Sequence, residues 1–135
     1  MAGTPDIQIC PLGSGSKGNC TFVGTPHSGL LIDGGFSAIE TIRRLVKAGI
    51  DPARVQALLV THEHSDHIAC VGPLARRFKV PVYITRGTLE AYPRVGKLPE
   101  VVTVAAGEPF HAFVKRFGLD QLSKVAVAAA PDDVR

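Results

Sequence analysis

The heptapeptide Thr61–His67 constrains this chain more than any other stretch, because it holds three of the five histidines and two carboxylates. It directly follows the apolar run Val55–Val60, which is typical of a strand buried on both faces of a sheet. Alternate residues of an extended segment point the same way, so His62 and His64 can present their rings to one point. The last two residues of the heptapeptide can reach a second point after the chain turns. The sequence therefore predicts a buried strand that ends in a layout for two metal ions.

Neutral imidazole and carboxylate groups are ligands that suit zinc, iron or manganese. No cysteine is placed to complete a closed structural zinc site, so the pattern favours an open, catalytic centre. The alternative is a solvated polar loop in which the histidines occur by chance. The candidate metal ligands are His62, His64, Asp66 and His67.

Strand and helix signals alternate along the chain, and this order favours an α/β fold. The predicted strands, besides Val55–Val60, are Ile7–Leu12, Cys20–Gly24, Leu30–Ile32 and Val80–Ile84, and the predicted helices are Ala38–Ala48, Ile68–Phe78 and a third from Thr85 to about Tyr92. Ser37 is the expected N-cap of the first helix, whose predicted apolar face is Ile39, Ile42, Leu45 and Val46. We expect this helix to pack over one mixed sheet that contains residues 31–32 and 58–60.

The pattern His62-x-His64-x-Asp66-His67, after a hydrophobic strand, resembles the HxHxDH signature of the metallo-beta-lactamase superfamily. Two further segments, Leu12–Cys20 and Leu31–Gly35, make the chain similar to the YycJ/WalJ group of small bacterial metallohydrolases. The resemblance implies the metallo-beta-lactamase fold, an αββα sandwich. This chain would hold the N-terminal half of that fold, with a mixed β-sheet and covering helices.

The resemblance also implies a division of the chain. Residues 1–110 match a metallo-beta-lactamase-like domain, whereas residues 111–135 do not match the family. Members of the family complete each metal site with a later histidine and bridge the two ions with an aspartate, and none of these three ligands is identifiable in this sequence. His111 is the only later histidine, and the residue directly after it is alanine where the family pattern has aspartate. A chain truncated or altered in reading frame near Phe110 is the simplest account.

The activity implied by the resemblance is that of a zinc-dependent hydrolase with two Zn²⁺ ions per complete site, for which Mn²⁺ or Fe are alternatives. It would act as a phosphodiesterase or DNA exonuclease through a metal-bound hydroxide, and Asp66 would also orient the attacking water. Two alternatives stay open. One is a hydrolase of another ester, thioester or lactam bond on the same fold, and the other is a non-catalytic fragment with an incomplete metal site.

Two other groups of residues have candidate roles. The resemblance implies that Asp33 supports the metal loop through hydrogen bonds, while its sequence context alone also fits an Asx turn before Gly34. The loop that joins the first two strands could offer amides, hydroxyls and an ammonium group to a phosphate, although it lacks the ending of a Walker loop. The alternative is a plain glycine-rich connection. Its candidate phosphate-binding residues are Ser14, Ser16, Lys17 and Asn19.

Composition and charge bear on the substrate and on the cellular compartment. A net charge of +3 over 135 residues would tolerate an anionic substrate such as DNA, but it does not by itself indicate a nucleic-acid site. Three cysteines outside any metal-type spacing suit a reducing compartment. The first residues lack a basic region followed by a hydrophobic one, and no apolar run approaches the length of a membrane span. We therefore expect a cytoplasmic protein without a membrane anchor.

Overall fold

The computed structural model describes residues 7–15, 17–61, 64–104 and 125–127. In that part of the chain, seven strands form one sheet in the order β6-β5-β4-β3-β2-β1-β7. The strands are β1 (Ile7–Gly13), β2 (Cys20–Gly24), β3 (Gly29–Ile32), β4 (Leu58–Leu59), β5 (Pro81–Thr85), β6 (Glu100–Val104) and β7 (Val125–Val127). The strands β1, β2 and β3 pair antiparallel, whereas β3 to β6 are parallel and β7 is parallel to β1. The expected α/β fold with a mixed sheet is confirmed.

Four α-helices connect these strands: α1 (Ala38–Lys47), α2 (Ser65–Ile68), α3 (Val71–Phe78) and α4 (Arg86–Ala91). Two short 3₁₀ turns complete the connections: Pro52–Arg54 precedes β4 and Pro93–Val95 precedes β6. In the described ranges, no helix has the length and apolar character needed to cross a membrane.

The sheet separates two clusters of buried side chains. The larger cluster packs Leu45 of α1 and Leu74 of α3 with Leu31 and Leu58 of the two central parallel strands. The predicted packing of the first helix over a sheet that holds both strands is therefore confirmed. The smaller cluster lies on the other face and is centred on Tyr83, which is 1% exposed.

The predicted strand Val55–Val60 is wrong in its length, since only Leu58–Leu59 forms ladder pairs, with β3 on one side and β5 on the other. The physical reason lies just upstream. Pro52–Arg54 forms a 3₁₀ turn, and the Val55 amide caps it by donating to the Pro52 carbonyl at 3.1 Å. The prediction of burial holds for the central residues, because Leu58 and Leu59 are at most 2% exposed.

Two helix predictions also need correction. The predicted helix Ile68–Phe78 is two helices, because α2 ends at Ile68 and α3 begins after Cys70, whose amide donates to the Gly34 carbonyl at 2.8 Å. The break therefore follows from a contact with the segment after β3.

The apolar face predicted for α1 is wrong in part, since Ile39 and Val46 are 84% and 60% exposed. The buried residues are instead Leu45 and the polar Thr41. Thr41 can be buried because its hydroxyl donates to the Ser37 carbonyl at 2.8 Å, which satisfies its polar group within the helix. Ser37 itself caps the helix as predicted, by accepting from the Glu40 amide.

Candidate metal centre

Asp33 directly follows β3 and is the residue around which the candidate site is built. Its backbone adopts a left-handed conformation, with φ of 67°, which aspartate tolerates better than most residues. Its amide donates to the Leu59 carbonyl at 2.7 Å, and the residue is only 5% exposed. The side chain is therefore held in one place at the carboxyl end of the central strands.

The Asp33 carboxylate accepts hydrogen bonds from two separate residues. The Thr61 amide donates to Oδ1 at 2.8 Å, and the Thr61 hydroxyl lies 2.7 Å from Oδ2 and 2.9 Å from Oδ1. The His67 Nδ1 atom lies 2.6 Å from Oδ2. Because a carboxylate only accepts, Nδ1 carries the proton, and Nε2 is the ring atom suited to a metal.

Backbone contacts fix the position of His67 as well. The Gly34 amide donates to the His67 carbonyl at 2.6 Å, and the Gly34 carbonyl accepts from Cys70. A Cβ atom at Gly34 would lie 2.8 Å from Leu74 of α3, closer than van der Waals contact allows. Glycine is therefore needed for the segment around α2 to approach the end of β3 so closely.

The structure locates only part of the predicted ligand set. His64 is exposed, and its carbonyl accepts from the amides of His67 and Ile68 at 2.8 and 3.1 Å, which starts α2. His62 lies outside the described residues, and for Asp66 only the backbone, in α2, is described. In the described part of the chain, no three histidine, cysteine or acidic side chains form a metal-binding group. The convergence of the four predicted ligands stays a prediction.

The β1–β2 loop lies beside this site, because the Gly35 amide donates to the Asn19 carbonyl at 3.1 Å. The Asn19 side chain bonds Gly15 with both ends of its amide, at 2.8 and 3.1 Å. In this conformation Asn19 shapes the loop. Lys17 is exposed, as is Ser14, whereas Ser16 lies outside the described residues.

The Phe36 ring packs against the β1–β2 loop. A Cβ atom at Gly13 or Gly18 would lie 2.7 or 2.6 Å from this ring, so both glycines permit its close approach. The Arg44 guanidinium stacks 3.8 Å from the ring centroid and donates to the Leu12 carbonyl at 2.9 Å. Helix α1 thereby anchors the loop next to the Asp33 end of β3.

The cysteines near these elements are free thiols. Burial raises the pKa of the Cys20 thiol well above its usual range, and the nearby Asp33 charge raises it further. Burial also raises the pKa values of Cys10 and Cys70. None of the three is therefore poised as a thiolate ligand or nucleophile.

A carboxylate that orients an imidazole through Nδ1 is the usual companion of a metal-binding histidine, so the described residues fit a metal site. Thr61 is the part of this arrangement that the sequence interpretation missed, since the sequence pattern marks it only as the end of a strand. A signal was present: Thr61 and Asp33 each follow a predicted central strand, so a parallel pairing of the two strands would bring both to one sheet edge.

Known proteins resemble this chain in sequence and in fold. The family model of the metallo-beta-lactamase superfamily matches residues 13–127. The chain is 43% identical over 94 residues to an exodeoxyribonuclease YycJ of Bacillus anthracis, which covers 69% of this chain and 36% of that protein. It is 40% identical over 80 residues to an exodeoxyribonuclease WalJ of Streptococcus pneumoniae, which covers 59% of this chain and 30% of that protein. The chain thus spans about a third of the length of these relatives.

Among solved structures, a B3 metallo-beta-lactamase with an active-site glutamic acid superposes with a TM-score of 0.57 at 21% identity. The match covers 70% of this chain and 42% of that one. At this identity the likeness concerns the fold, and it confirms the fold class expected from the sequence.

Proposed function

The chain belongs to the metallo-beta-lactamase superfamily, and from this premise we propose that it contributes half of the catalytic site of a metal-dependent phosphodiesterase that degrades DNA from its ends. The observation that carries the proposal is the Asp33–His67 pair, with 2.6 Å between Oδ2 and Nδ1. This pair joins the end of β3 to the last histidine of the motif and presents a ring whose tautomer suits metal binding.

The proposed ligands are His62, His64, Asp66 and His67, and Asp33 holds His67 from behind. A bound pair of divalent ions, with zinc favoured and manganese or iron as alternatives, would supply Lewis acidity and lower the pKa of water. The residues of this chain would orient the site: Asp33 fixes the His67 ring, and the proposed role of Asp66 includes orienting the attacking water.

Two observations favour a phosphodiester substrate. The YycJ and WalJ relatives are both exodeoxyribonucleases. In addition, the β1–β2 loop lies next to Asp33 and carries an exposed ammonium group on Lys17. We propose that Ser14, Ser16 and Lys17 meet a phosphate of the substrate, while Asn19 keeps the loop in shape through Gly15.

The test is a chimera in which residues 7–104 of this chain replace the matching segment of the Bacillus anthracis relative. We expect the chimera, with zinc or manganese, to degrade linear DNA and to spare covalently closed circular DNA. His67→Ala should abolish the reaction, whereas His27→Ala, in the exposed β2–β3 turn, should not.

A folded, zinc-loaded chimera that ignores DNA but cleaves an ester, a thioester or a lactam would contradict the proposal and favour that alternative. A chimera that folds yet binds no zinc would point to a non-catalytic module. Cytoplasmic location stays a prediction, in keeping with the free thiols.

A further inference from the structure

We infer that Thr61 is a positioning residue for His67, acting through the Asp33 carboxylate. The inference rests on the proposed function in so far as it concerns metal binding. Its geometric basis does not depend on any metal, because it consists of hydrogen bonds among three described residues.

Strand register brings Thr61 and Asp33 together. Leu31 pairs with Leu58 and Ile32 pairs with Leu59 in parallel, so the chain leaves both strands at the same sheet edge. Asp33 then adopts its left-handed backbone conformation, and its carboxylate accepts from the Thr61 amide at the start of the histidine motif. Thr61 is the last residue before that motif.

Thr61 contacts both oxygens of the carboxylate. Its amide lies 2.8 Å from Oδ1, and its hydroxyl lies 2.7 Å from Oδ2, the same oxygen that accepts from His67. Rotation about χ2 of an aspartate is otherwise soft, so two donors from one residue define the plane of the carboxylate. The direction of the His67 ring follows from that plane.

Thr61 is not part of either hydrophobic cluster, so a positioning role can be tested without disturbing the core. The residue as a whole is exposed, so loss of its hydroxyl opens no cavity in either hydrophobic cluster. Thr61→Val keeps the shape and the amide but removes the hydroxyl donor. Thr61→Ser keeps the hydroxyl. The matched control is Thr103→Val, the same change at an exposed position of β6.

The first measurement is ¹⁵N NMR of the His67 ring in the metal-free chain, at a pH where the ring is neutral. We expect the Nδ1–H tautomer in the unchanged chain, in Thr61→Ser and in Thr103→Val. Thr61→Val should show a mixture of tautomers. The second measurement is competition for zinc against a weak chelating dye, in which Thr61→Val should lose about 10- to 30-fold in affinity, at the lower end of the range for groups that orient metal ligands.

Thr61→Val with an unchanged tautomer and a zinc affinity within about twofold would overturn the inference. If the unchanged chain binds no zinc, the proposed function fails at this site. The tautomer comparison then still decides whether Thr61 positions His67, so the two failures can be told apart.

Discussion

At the scale of single residues, Asp33 connects three parts of the chain. It accepts from Thr61 at the end of the central strand and from His67 in α2, and its own amide is bonded to Leu59. A buried carboxylate with several donors keeps one orientation, and a histidine bonded to it keeps one tautomer.

Asp33→Asn tests this arrangement directly. Asparagine keeps one acceptor oxygen and replaces the other with an NH2 group, which cannot accept. One of the contacts to Thr61 and His67 is therefore lost, and we expect zinc affinity to fall by about 10- to 100-fold. The measurement is the same dye competition. Asp51→Asn is the control, because the Asp51 side chain caps the Pro52–Arg54 turn by accepting from the Ala53 amide, and an amide oxygen can do the same. An equal loss in both variants would argue against a special role for Asp33.

Glu40 gives a prediction about pH. Hydrogen bonds from Arg43 and Arg44 lower the pKa of Glu40 to about 2 from its ordinary 4.5. A carboxylate whose pKa is lower in the folded state stabilises that state above pH 4.5, and this contribution is lost as the pH falls toward about 2. The Tm difference between the unchanged chain and Glu40→Gln should therefore be largest near neutral pH and shrink below pH 4.5.

Glu90→Gln serves as the control for that experiment, since Glu90 is exposed and makes no ion pair with any residue in the described ranges. A Tm difference for Glu40→Gln that grows on acidification would contradict the proposed linkage. Added salt should also reduce the difference, because the pairs are partly exposed.

At the scale of elements, α1 performs two tasks. Its inner face carries Leu45 into the larger cluster, and its Arg44 reaches back to stack on Phe36 and hold the β1–β2 loop. Its outer face exposes Ile39 and Val46. The helix therefore links the main core to the loop proposed to meet the substrate.

The two faces of α1 should differ sharply in their effect on stability. Leu45→Ala removes a side chain that is fully buried, and it should lower the free energy of unfolding by about 2 to 5 kcal/mol. Ile39→Ala, at a position that is 84% exposed, should change it by no more than about 0.5 kcal/mol. Urea unfolding followed by circular dichroism measures both. A loss of about 2 kcal/mol or more in Ile39→Ala would contradict this assignment, because a loss of that size requires a buried side chain.

At the scale of the whole molecule, the chain matches about a third of the length of its relatives. It supplies the histidine motif, the carboxylate that supports His67 and the neighbouring loop. The later histidines and the bridging aspartate expected from the family resemblance have no identified counterparts in the sequence. The division at residue 110 stays a prediction, although β7 at residues 125–127 pairs with β1 and the family model extends to residue 127.

We therefore expect the 135-residue chain by itself to bind zinc weakly and to hydrolyse little or no DNA. Each metal would have two recognised protein ligands, where a catalytic zinc usually has three and a water. Calorimetric zinc titration and a nuclease assay on the purified chain check this, with the double variant His62→Ala/His64→Ala as control. Tight binding of two zinc ions, with turnover that the control abolishes, would show that further ligands lie within the chain.

The amino-acid sequence by itself determined the fold class, the location of the two central strands and the clustering of candidate metal ligands in Thr61–His67. These are local properties: a buried run, a capping serine and the histidine spacing are each visible in a few consecutive residues. For the same reason the resemblance to the family was visible in short segments.

Only the tertiary structure decided which face of α1 is buried, where the helix after the motif breaks, and how Thr61 reaches Asp33. Each depends on how separate segments of the chain meet. Thr41 is buried because its hydroxyl is satisfied within the helix that packs on the sheet, the break at Cys70 follows from its bond to Gly34, and Asp33 is 28 positions from Thr61. Hydrophobic periodicity carries no information about such contacts, because strand register and the pairing of polar groups are set when the distant segments meet.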